Sequence, residues 1–166
     1  AVLQAGEANV YVKAKPGATV EVAFGSAKAN ATAGADGVFK TTLTGLQATE
    51  EGKDLVIKSG AESHVAKDVI VGEVWVGSGQ SNMEWIVRNT SAAAAARARP
   101  ADAGLRVFTV ARTPKAAPAE DVQGSWKLAS PATVDGFTAA GYFFAHALRA
   151  EIKQPVGIIH TSIGGT

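Results

Sequence analysis

The sequence predicts an α/β protein in two parts. An antiparallel β-sandwich-like domain is expected over residues 1–70, followed by the first part of an α/β domain with a parallel sheet over residues 71–166. Up to Val71, short segments alternate between apolar and polar residues, which is typical of half-buried antiparallel strands. Beyond Val71 the apolar runs no longer alternate and a helical pattern intervenes. Such runs favour parallel strands that are buried on both faces.

Turn residues divide the first part into short strands. Glycine supplies the positive φ that tight turns need, and Asp or Ser bonds its own backbone there. The pair Asp36-Gly37 is the clearest hairpin signal. The turns at Pro16-Gly17, Gly25-Ser26, Asp36-Gly37 and Ser59-Gly60 separate six expected strands, at residues 10–13, 19–24, 27–33, 38–43, 54–58 and 63–70.

The second part carries three expected strands, at residues 73–76, 105–110 and 156–160, and one well-patterned helix at 136–152. Apolar side chains recur in that helix at spacings of three and four, which predicts one buried stripe; they are Phe137, Ala140, Phe144, Ala147 and Leu148. Pro155 follows the helix, as helix stops often do. Residues 91–97 are rich in alanine but lack a stripe, so they are expected to form a surface helix or a mobile loop.

Composition excludes several classes of function. The 166 residues are 46% apolar, enough for one ordinary domain or two small ones. Lys and Arg total 16 against 15 Asp and Glu, without a basic patch beside aromatics, so a nucleic-acid partner is not expected. No apolar run reaches the roughly 18 residues of a membrane span. Cysteine is absent, so disulfides, zinc-thiolate sites and a cysteine nucleophile are excluded together.

The turn that follows the strand at 73–76 carries the main candidate for chemistry, Ser81. Glycines at 77 and 79 allow a tight turn and leave Ser81 uncrowded. A serine beyond the carboxyl end of such a strand can present its hydroxyl to substrate while its own N–H faces a developing oxyanion. The same composition is typical of an ordinary loop, and Met83 stands where the Gly-x-Ser-x-Gly pattern needs glycine. The residues alone leave both interpretations open.

A longer comparison of motifs favours the catalytic interpretation. The stretch 71–85, VGEVWVGSGQSNMEW, and the stretch 155–166, PVGIIHTSIGGT, resemble the first two signature blocks of the sialate O-acetylesterase family, carbohydrate acetylesterases of the SGNH hydrolase superfamily. Shorter runs resemble the same family in the same order, namely VLQ at 2–4, KPGA at 15–18, LRVFTV at 105–110, GSW at 124–126 and GYFFA at 141–145. The second part of the chain is then expected to be the start of an SGNH-type α/β/α domain.

The resemblance implies a role for each motif residue. Ser81 would be the nucleophile, and its backbone N–H the first oxyanion donor. The backbone N–H of Gly164 or Gly165 would be another donor, since glycine lets the backbone approach substrate closely. Gln80 and Asn82 would orient the loop or contact substrate, or they would simply bond the turn backbone. No cofactor or metal is required by this chemistry.

A serine hydroxyl needs a base, normally histidine. His64 lies in an alternating strand and His146 within the helix, both typical of structural positions. His160 ends a strand before the Gly-Gly turn and could approach the site, although it is a weak candidate. None stands in the Asp-x-x-His arrangement of the family, and the family's block with an Asn oxyanion donor is also missing.

These gaps predict that the site is completed elsewhere. Three parallel strands and one good helix cannot cover both faces of a buried sheet. We therefore expect a C-terminal segment or a second chain to supply the Asn donor and the Asp-x-x-His, joined through a large apolar interface.

Three functions remain to be distinguished. The first is an esterase that removes acetyl groups from carbohydrates, of the sialate O-acetylesterase or acetyl-xylan esterase type. The second is a non-catalytic carbohydrate-binding module that uses Trp75, Trp85 or Trp126. A regulatory or degenerate half-enzyme is the third. The family resemblance also implies a secreted or periplasmic location.

Overall fold

The computed structural model of the chain describes residues 1–117, 119 and 121–165. It is mixed α/β and mainly built of strands. The residue contacts divide it into two compact units, Ala1–Glu73 and Val74–Thr166, of which Thr166 itself lies outside the described residues. None of the described helices has the length and apolar content needed to cross a bilayer.

The first unit contains two sheets. In the larger sheet the order is β4-β3-β6-β7, with antiparallel neighbours, and β1 pairs with β7 in parallel. In the smaller sheet β2 pairs with β5 antiparallel. The strands are β1 (Val2–Gln4), β2 (Gly6–Lys13), β3 (Thr19–Phe24), β4 (Ala27–Thr32), β5 (Val38–Leu46), β6 (Thr49–Ser59) and β7 (Glu62–Gly77). Strand β1 was not expected from the sequence.

One apolar core joins the two sheets of this unit. Alternate residues of β3, such as Val20 and Val22, are buried, while Glu21 between them is exposed. They pack with Phe39 and Leu43 of β5 in the same cluster of buried side chains. The alternation that predicted these strands therefore corresponds to one face toward this core and one face toward water.

Strand β7 corrects one prediction. Separate strands were expected at residues 63–70 and 73–76, but a single strand runs through both, from Glu62 to Gly77. The backbone does not turn at Gly72 because this glycine is held in the ladder: it is paired with Gln4 of β1, and its carbonyl accepts the Ala5 N–H at 2.8 Å. The strand thus starts in the first unit and ends in the second.

The second unit is built on a sheet with the order β7-β10-β8-β9. Strands β8 (Asp102–Val110) and β10 (Val156–His160) are parallel, as the non-alternating apolar runs predicted. Strand β9 (Gly124–Ala129) was not expected, and it pairs with β8 antiparallel. Two short 3₁₀ turns, Val87–Asn89 and Val134–Gly136, accompany the helices α1 (Ser81–Glu84), α2 (Ala93–Arg97) and α3 (Ala139–Ile152).

Helix α3 presents a different face from the one predicted. Phe144 of the expected stripe is 44% exposed, and Ala140 and Ala147 are exposed as well, whereas Phe137 is buried and Leu148 packs against the core. The buried face instead carries Tyr142 and Ala145, with Gly141 at the closest approach to the sheet. A Cβ on Gly141 would lie only 3.2 Å from the Ile158 side chain of β10. The small residues at 141 and 145 let the helix lie close to the sheet, and Tyr142 fills the core beside them.

Helix α2 also corrects an expectation. It is a helix over Ala93–Arg97, yet two of its alanines, Ala93 and Ala96, are buried. Its outer side forms an ion pair between Arg97 and Asp135 at 2.7 Å. Alanine carries too little apolar surface to mark a stripe in the sequence, although it can still pack closely.

Candidate active site

The turn that carries Ser81, the nucleophile predicted from the sequence, begins where β7 ends and is called the nucleophile turn after that prediction. After Gly77, the backbone passes through Gly79 at φ +137°, a conformation that residues with a Cβ rarely adopt. A Cβ at Gly79 would also lie 3.1 Å from the Met83 side chain. The turn places Ser81 at the first position of α1, where it is exposed to solvent. The local sequence therefore determines that Ser81 stands free at the end of a strand.

A second turn, after β10, lies directly beside the first. The Thr161 N–H donates to the Gly77 carbonyl at 2.9 Å, and the Ile163 N–H donates to the Gly79 carbonyl at 3.1 Å. These bonds carry the chain alongside the nucleophile turn as far as Gly164. A Cβ built on Gly164 would lie 3.2 Å from the Ser81 hydroxyl oxygen. The two segments that the sequence singled out thus meet at Ser81.

The two glycines of the second turn differ in their surroundings. The Gly164 N–H donates to the Glu84 carboxylate at 2.8 Å. Gly165 has φ +83°, and a Cβ there would meet nothing within 4 Å. Gly164 is therefore packed against the nucleophile, whereas Gly165 faces open space.

Glu84 is a site residue that the sequence did not reveal. Its carboxylate accepts the Gly164 N–H and forms an ion pair with Arg112, and its side chain is 24% exposed. Arg112 lies just beyond the end of β8. The only signal in the sequence was the position of Glu84 three residues after Ser81, on the same side of a helical turn.

Thr138 supports helix α1, which carries Ser81, from the buried side. Its side chain is fully buried, and its hydroxyl donates to the Met83 carbonyl at 2.6 Å. The same oxygen accepts the Gly141 N–H at 3.4 Å, which caps the N-terminus of α3. Thr138 therefore links the helix that carries Ser81 to the longest helix of this unit.

Replacing Thr138 with Val tests this link, since valine keeps the shape but loses both bonds. We expect the free energy of unfolding to fall by about 1–3 kcal/mol, because a lost cap and an unpaired carbonyl each cost of that order. Chemical denaturation measures the change. The matched control is Thr32→Val, at an exposed position on β4. Equal stability of the two variants would contradict the anchoring role.

Gln80 and Asn82 flank the nucleophile and are both exposed. The Gln80 carbonyl accepts the N–H groups of Met83 and Glu84, each at 3.0 Å, and so starts the helix. The Gln80 side chain makes no capping hydrogen bond. Their roles toward substrate stay predictions.

Two of the three histidines, His146 and His160, lie in the second unit and contact residues other than Ser81. His160 is buried at the end of β10, and its Nε2 is hydrogen-bonded to the Ser162 hydroxyl. His146 lies on α3 beside Tyr142, with ring centroids 6.2 Å apart. Burial lowers the pKa of His146, Arg99 lowers it further, and Asp102 opposes the shift. The third, His64, is exposed on β7 opposite Ile57, in the first unit.

His160 makes stability depend on pH. Burial lowers its pKa below the ordinary value of 6.5, and the Arg112 charge lowers it further, against a smaller opposite effect of the Met83 backbone. As pH falls through 6.5, the unfolded chain therefore binds a proton that folded His160 does not. We expect the free energy of unfolding to decrease over this range, and less so in His160→Asn. Denaturation at about pH 7.5 and about pH 5.5 measures the difference, with His64→Asn as the exposed control. A His160→Asn variant with an unchanged pH dependence would contradict the prediction.

The three tryptophans occupy different environments. Trp75 is 46% exposed and packs edge-on against Phe144, with centroids 5.2 Å apart. Trp85 is 54% exposed, and its indole N–H donates to the Asn89 carbonyl at 3.1 Å. Trp126 lies against Phe108 across the β8–β9 pair.

A cavity of about 570 Å³ opens beside the second turn. It is lined on one side by Thr161, Ser162 and Ile163, and on another by Arg112 and Lys115. The volume is within the range of small-molecule pockets. It adjoins the Ser81 site through Arg112, which pairs with Glu84.

Comparison with solved structures finds a similar chain, a carbohydrate acetylesterase from Xanthomonas citri. The two superpose with a TM-score of 0.94 and share 36% sequence identity over the whole of the present chain. The present chain spans 38% of the length of that protein. No protein-family model matches the sequence, and no curated protein sequence matches it either.

Proposed function

We propose that this chain contributes the nucleophile, Ser81, to an esterase that removes O-acetyl groups from carbohydrates. The observation that carries the proposal is the approach of Gly164 to the Ser81 hydroxyl, which joins a free serine to a glycine turn at strand ends. Serine esterases need this pairing of a nucleophile with backbone donors. Similarity to a carbohydrate acetylesterase supports the choice of acetylated sugars as the substrate class.

The proposed reaction passes through an acetyl-enzyme. The Ser81 oxygen attacks the acetyl carbonyl while a base takes its proton. The resulting oxyanion is held by the N–H of Ser81 and by that of Gly165, since the Gly164 N–H is already donated to Glu84. The bond to the sugar oxygen breaks, and the sugar leaves with the proton from the base. Water then attacks the acetyl group while the base takes its proton. The bond to the Ser81 oxygen breaks, the base returns the proton to that oxygen, and acetate is released.

The base is proposed to come from outside the described residues. His160 and His146 are engaged with Ser162 and packed beside Tyr142, respectively, and neither is bonded to Ser81. We propose that a C-terminal segment or a second chain supplies an Asp-x-x-His and an Asn donor. The same part would complete the SGNH-type sheet domain proposed for residues 71–166. The chain's coverage of 38% of the Xanthomonas esterase leaves room for such a part in a relative of that length.

The type of acetylated sugar and the location follow the sequence resemblance. Sialate and acetyl-xylan types of substrate are both proposed, in a secreted or periplasmic enzyme. A non-catalytic carbohydrate-binding module is the alternative, favoured by the exposure of Trp85. Its indole N–H, however, donates to the Asn89 carbonyl. The ring directly follows helix α1, a position that suits the border of an esterase site equally well.

Labelling with a fluorophosphonate separates these functions, because only an activated serine reacts. We expect the complete gene product to be labelled at Ser81 and to release acetate from acetylated xylan or acetylated sialic acid. Residues 1–166 alone should neither be labelled by the fluorophosphonate nor release acetate from these substrates. An unlabelled Ser81 in the complete gene product would reject the esterase in favour of a binding module. An active, well-folded monomer of residues 1–166 would reject the need for a further part.

A further inference from the structure

Glu84 occupies a position that the proposed chemistry does not yet explain. It lies on the same short helix as Ser81, and one carboxylate oxygen accepts the Gly164 N–H at 2.8 Å. The other oxygen forms an ion pair with Arg112, which follows β8. One carboxylate therefore ties the nucleophile helix to the turn after β10 and to the segment after β8.

The hydrogen bond from the Gly164 N–H to Glu84 fixes a turn that lies close to Ser81. A Cβ on Gly164 would lie 3.2 Å from the Ser81 hydroxyl oxygen, so the backbone at Gly164 stands directly against the nucleophile. The position of the next N–H, that of Gly165, is set by the same turn. A misplacement of about 1 Å in such a site can cost roughly 10²-fold in rate. An interaction that fixes this turn relative to Ser81 therefore has a direct kinetic effect.

The charge of Glu84 would by itself oppose the reaction. A carboxylate near Ser81 repels the negative charge that develops on the attacked carbonyl oxygen. Arg112 supplies a compensating positive charge from its ion pair with Glu84. The guanidinium is 60% exposed, so the pair stands at the edge of the site rather than deep in the interior.

We propose that Glu84 is a positioning residue of the esterase: its carboxylate holds the Gly164–Gly165 turn in place against Ser81, and Arg112 offsets its charge. This inference rests on the proposed function of Ser81. The useful property of Glu84 is its acceptor oxygen, and its negative charge is a liability that Arg112 corrects. An amide oxygen at this position can accept the same N–H, so glutamine should serve nearly as well.

The opposite role makes opposite predictions. If the carboxylate merely blocked the Gly164 N–H in the absence of substrate, its removal would free a donor and raise the rate. A positioning role requires that its removal lower kcat. It should leave KM almost unchanged, because Glu84 is proposed to act on the turn and not on the substrate.

The experiment compares Glu84→Ala, Glu84→Gln and Arg112→Gln in the complete gene product, with 4-nitrophenyl acetate as substrate. We expect Glu84→Ala to lower kcat by about 10-fold to 100-fold with KM within about twofold, and to slow fluorophosphonate labelling of Ser81 in parallel. Glu84→Gln should keep kcat within about threefold, since it keeps the acceptor. Arg112→Gln should lower kcat by about 3-fold to 10-fold, because the carboxylate is left uncompensated. Glu151→Ala, an exposed position on α3, is the matched control.

Each outcome decides the role of Glu84. An unchanged or increased kcat in Glu84→Ala would overturn the proposal, as would an equal loss in Glu84→Gln and Glu84→Ala. Thermal melting identifies a variant that fails to fold, in which case the Glu84→Gln and Arg112→Gln results decide. If wild-type Ser81 is not labelled, the proposed function itself fails. If wild type and Glu84→Ala are labelled at the same rate, only the present inference fails.

Discussion

Replacing Ser81 with Ala is expected to abolish ester hydrolysis by the complete gene product, with kcat lower by about 10⁴-fold or more. In the proposed reaction this hydroxyl forms the acetyl-enzyme, and losses of this size are typical when a serine nucleophile is removed. The exposed position of Ser81 at the start of α1 means that its hydroxyl can be removed with little change in stability. Hydrolysis of 4-nitrophenyl acetate measures the rate, and thermal melting measures stability.

Ser78→Ala is the matched control for this variant. Ser78 is exposed in the same turn, three residues before Ser81, and the proposed reaction gives it no role. Its replacement should leave kcat within about twofold, as expected for an exposed position away from the chemistry. A residual rate in Ser81→Ala close to that of wild type would reject Ser81 as the nucleophile. An equal loss in both variants would indicate damage to the turn rather than loss of a hydroxyl.

Gly164→Ala is expected to lower kcat by about 10²-fold or more, since small displacements at a reacting centre have effects of this order. The added methyl group would lie 3.2 Å from the Ser81 oxygen and would also meet the Glu84 carboxylate. It would thus push the Glu84 carboxylate away from the Gly164 N–H and crowd the Ser81 hydroxyl. The backbone at Gly164 is not in the left-handed region, so the effect arises from contact and not from a strained φ.

Gly165→Ala provides the comparison, because its expected effect comes from backbone strain and not from a contact of the methyl group. At φ +83° an alanine is strained by about 1–2 kcal/mol, but its methyl group would stand in open space. The N–H of residue 165 is kept. We expect a lower melting temperature with a loss in kcat below about 10-fold. A larger loss in Gly165→Ala than in Gly164→Ala would show that the shape of the turn matters more than the contact with Ser81.

Stability and catalysis are expected to respond to different residues around Ser81. Thr138 supports the nucleophile helix from the buried side, through the Met83 carbonyl. Glu84 joins the same helix to the Gly164 turn on the outer side. The buried bond should chiefly affect unfolding, whereas the outer bond should chiefly affect kcat.

Local patterns were sufficient for several elements of the fold. Strand β3 and its partner β4 were predicted from alternation and from the glycine turn at Gly25. That β8 and β10 are strands of a parallel sheet was predicted from apolar runs without alternation, although their direct pairing was not. In each case the period of the side chains reports which faces of a strand are buried, and that information is local.

The errors arose where close packing or pairing overrode the local pattern. The stripe was wrong at Phe144 because Gly141 allows α3 to lie against Ile158, so that Tyr142 and Ala145 face the core and Phe144 faces outward. The break expected near Gly72 was wrong because β1 holds that glycine in the ladder. Neither the gap between a helix and a sheet nor the presence of a neighbouring strand is encoded in the residues at the position itself.

The sequence by itself determined the turn at Ser81: its glycines and its place after a strand leave Ser81 exposed. The tertiary structure decided which residues surround it. Glu84 meets Gly164 across 80 positions of the chain, and Thr138 meets Met83 across 55. Such meetings depend on the order of strands in the sheet, because adjacent strand ends bring distant segments together. Short-range periodicity carries no information about that order, which is why the sequence predicted an exposed serine in this turn but not its neighbours Glu84, Arg112 and Thr138.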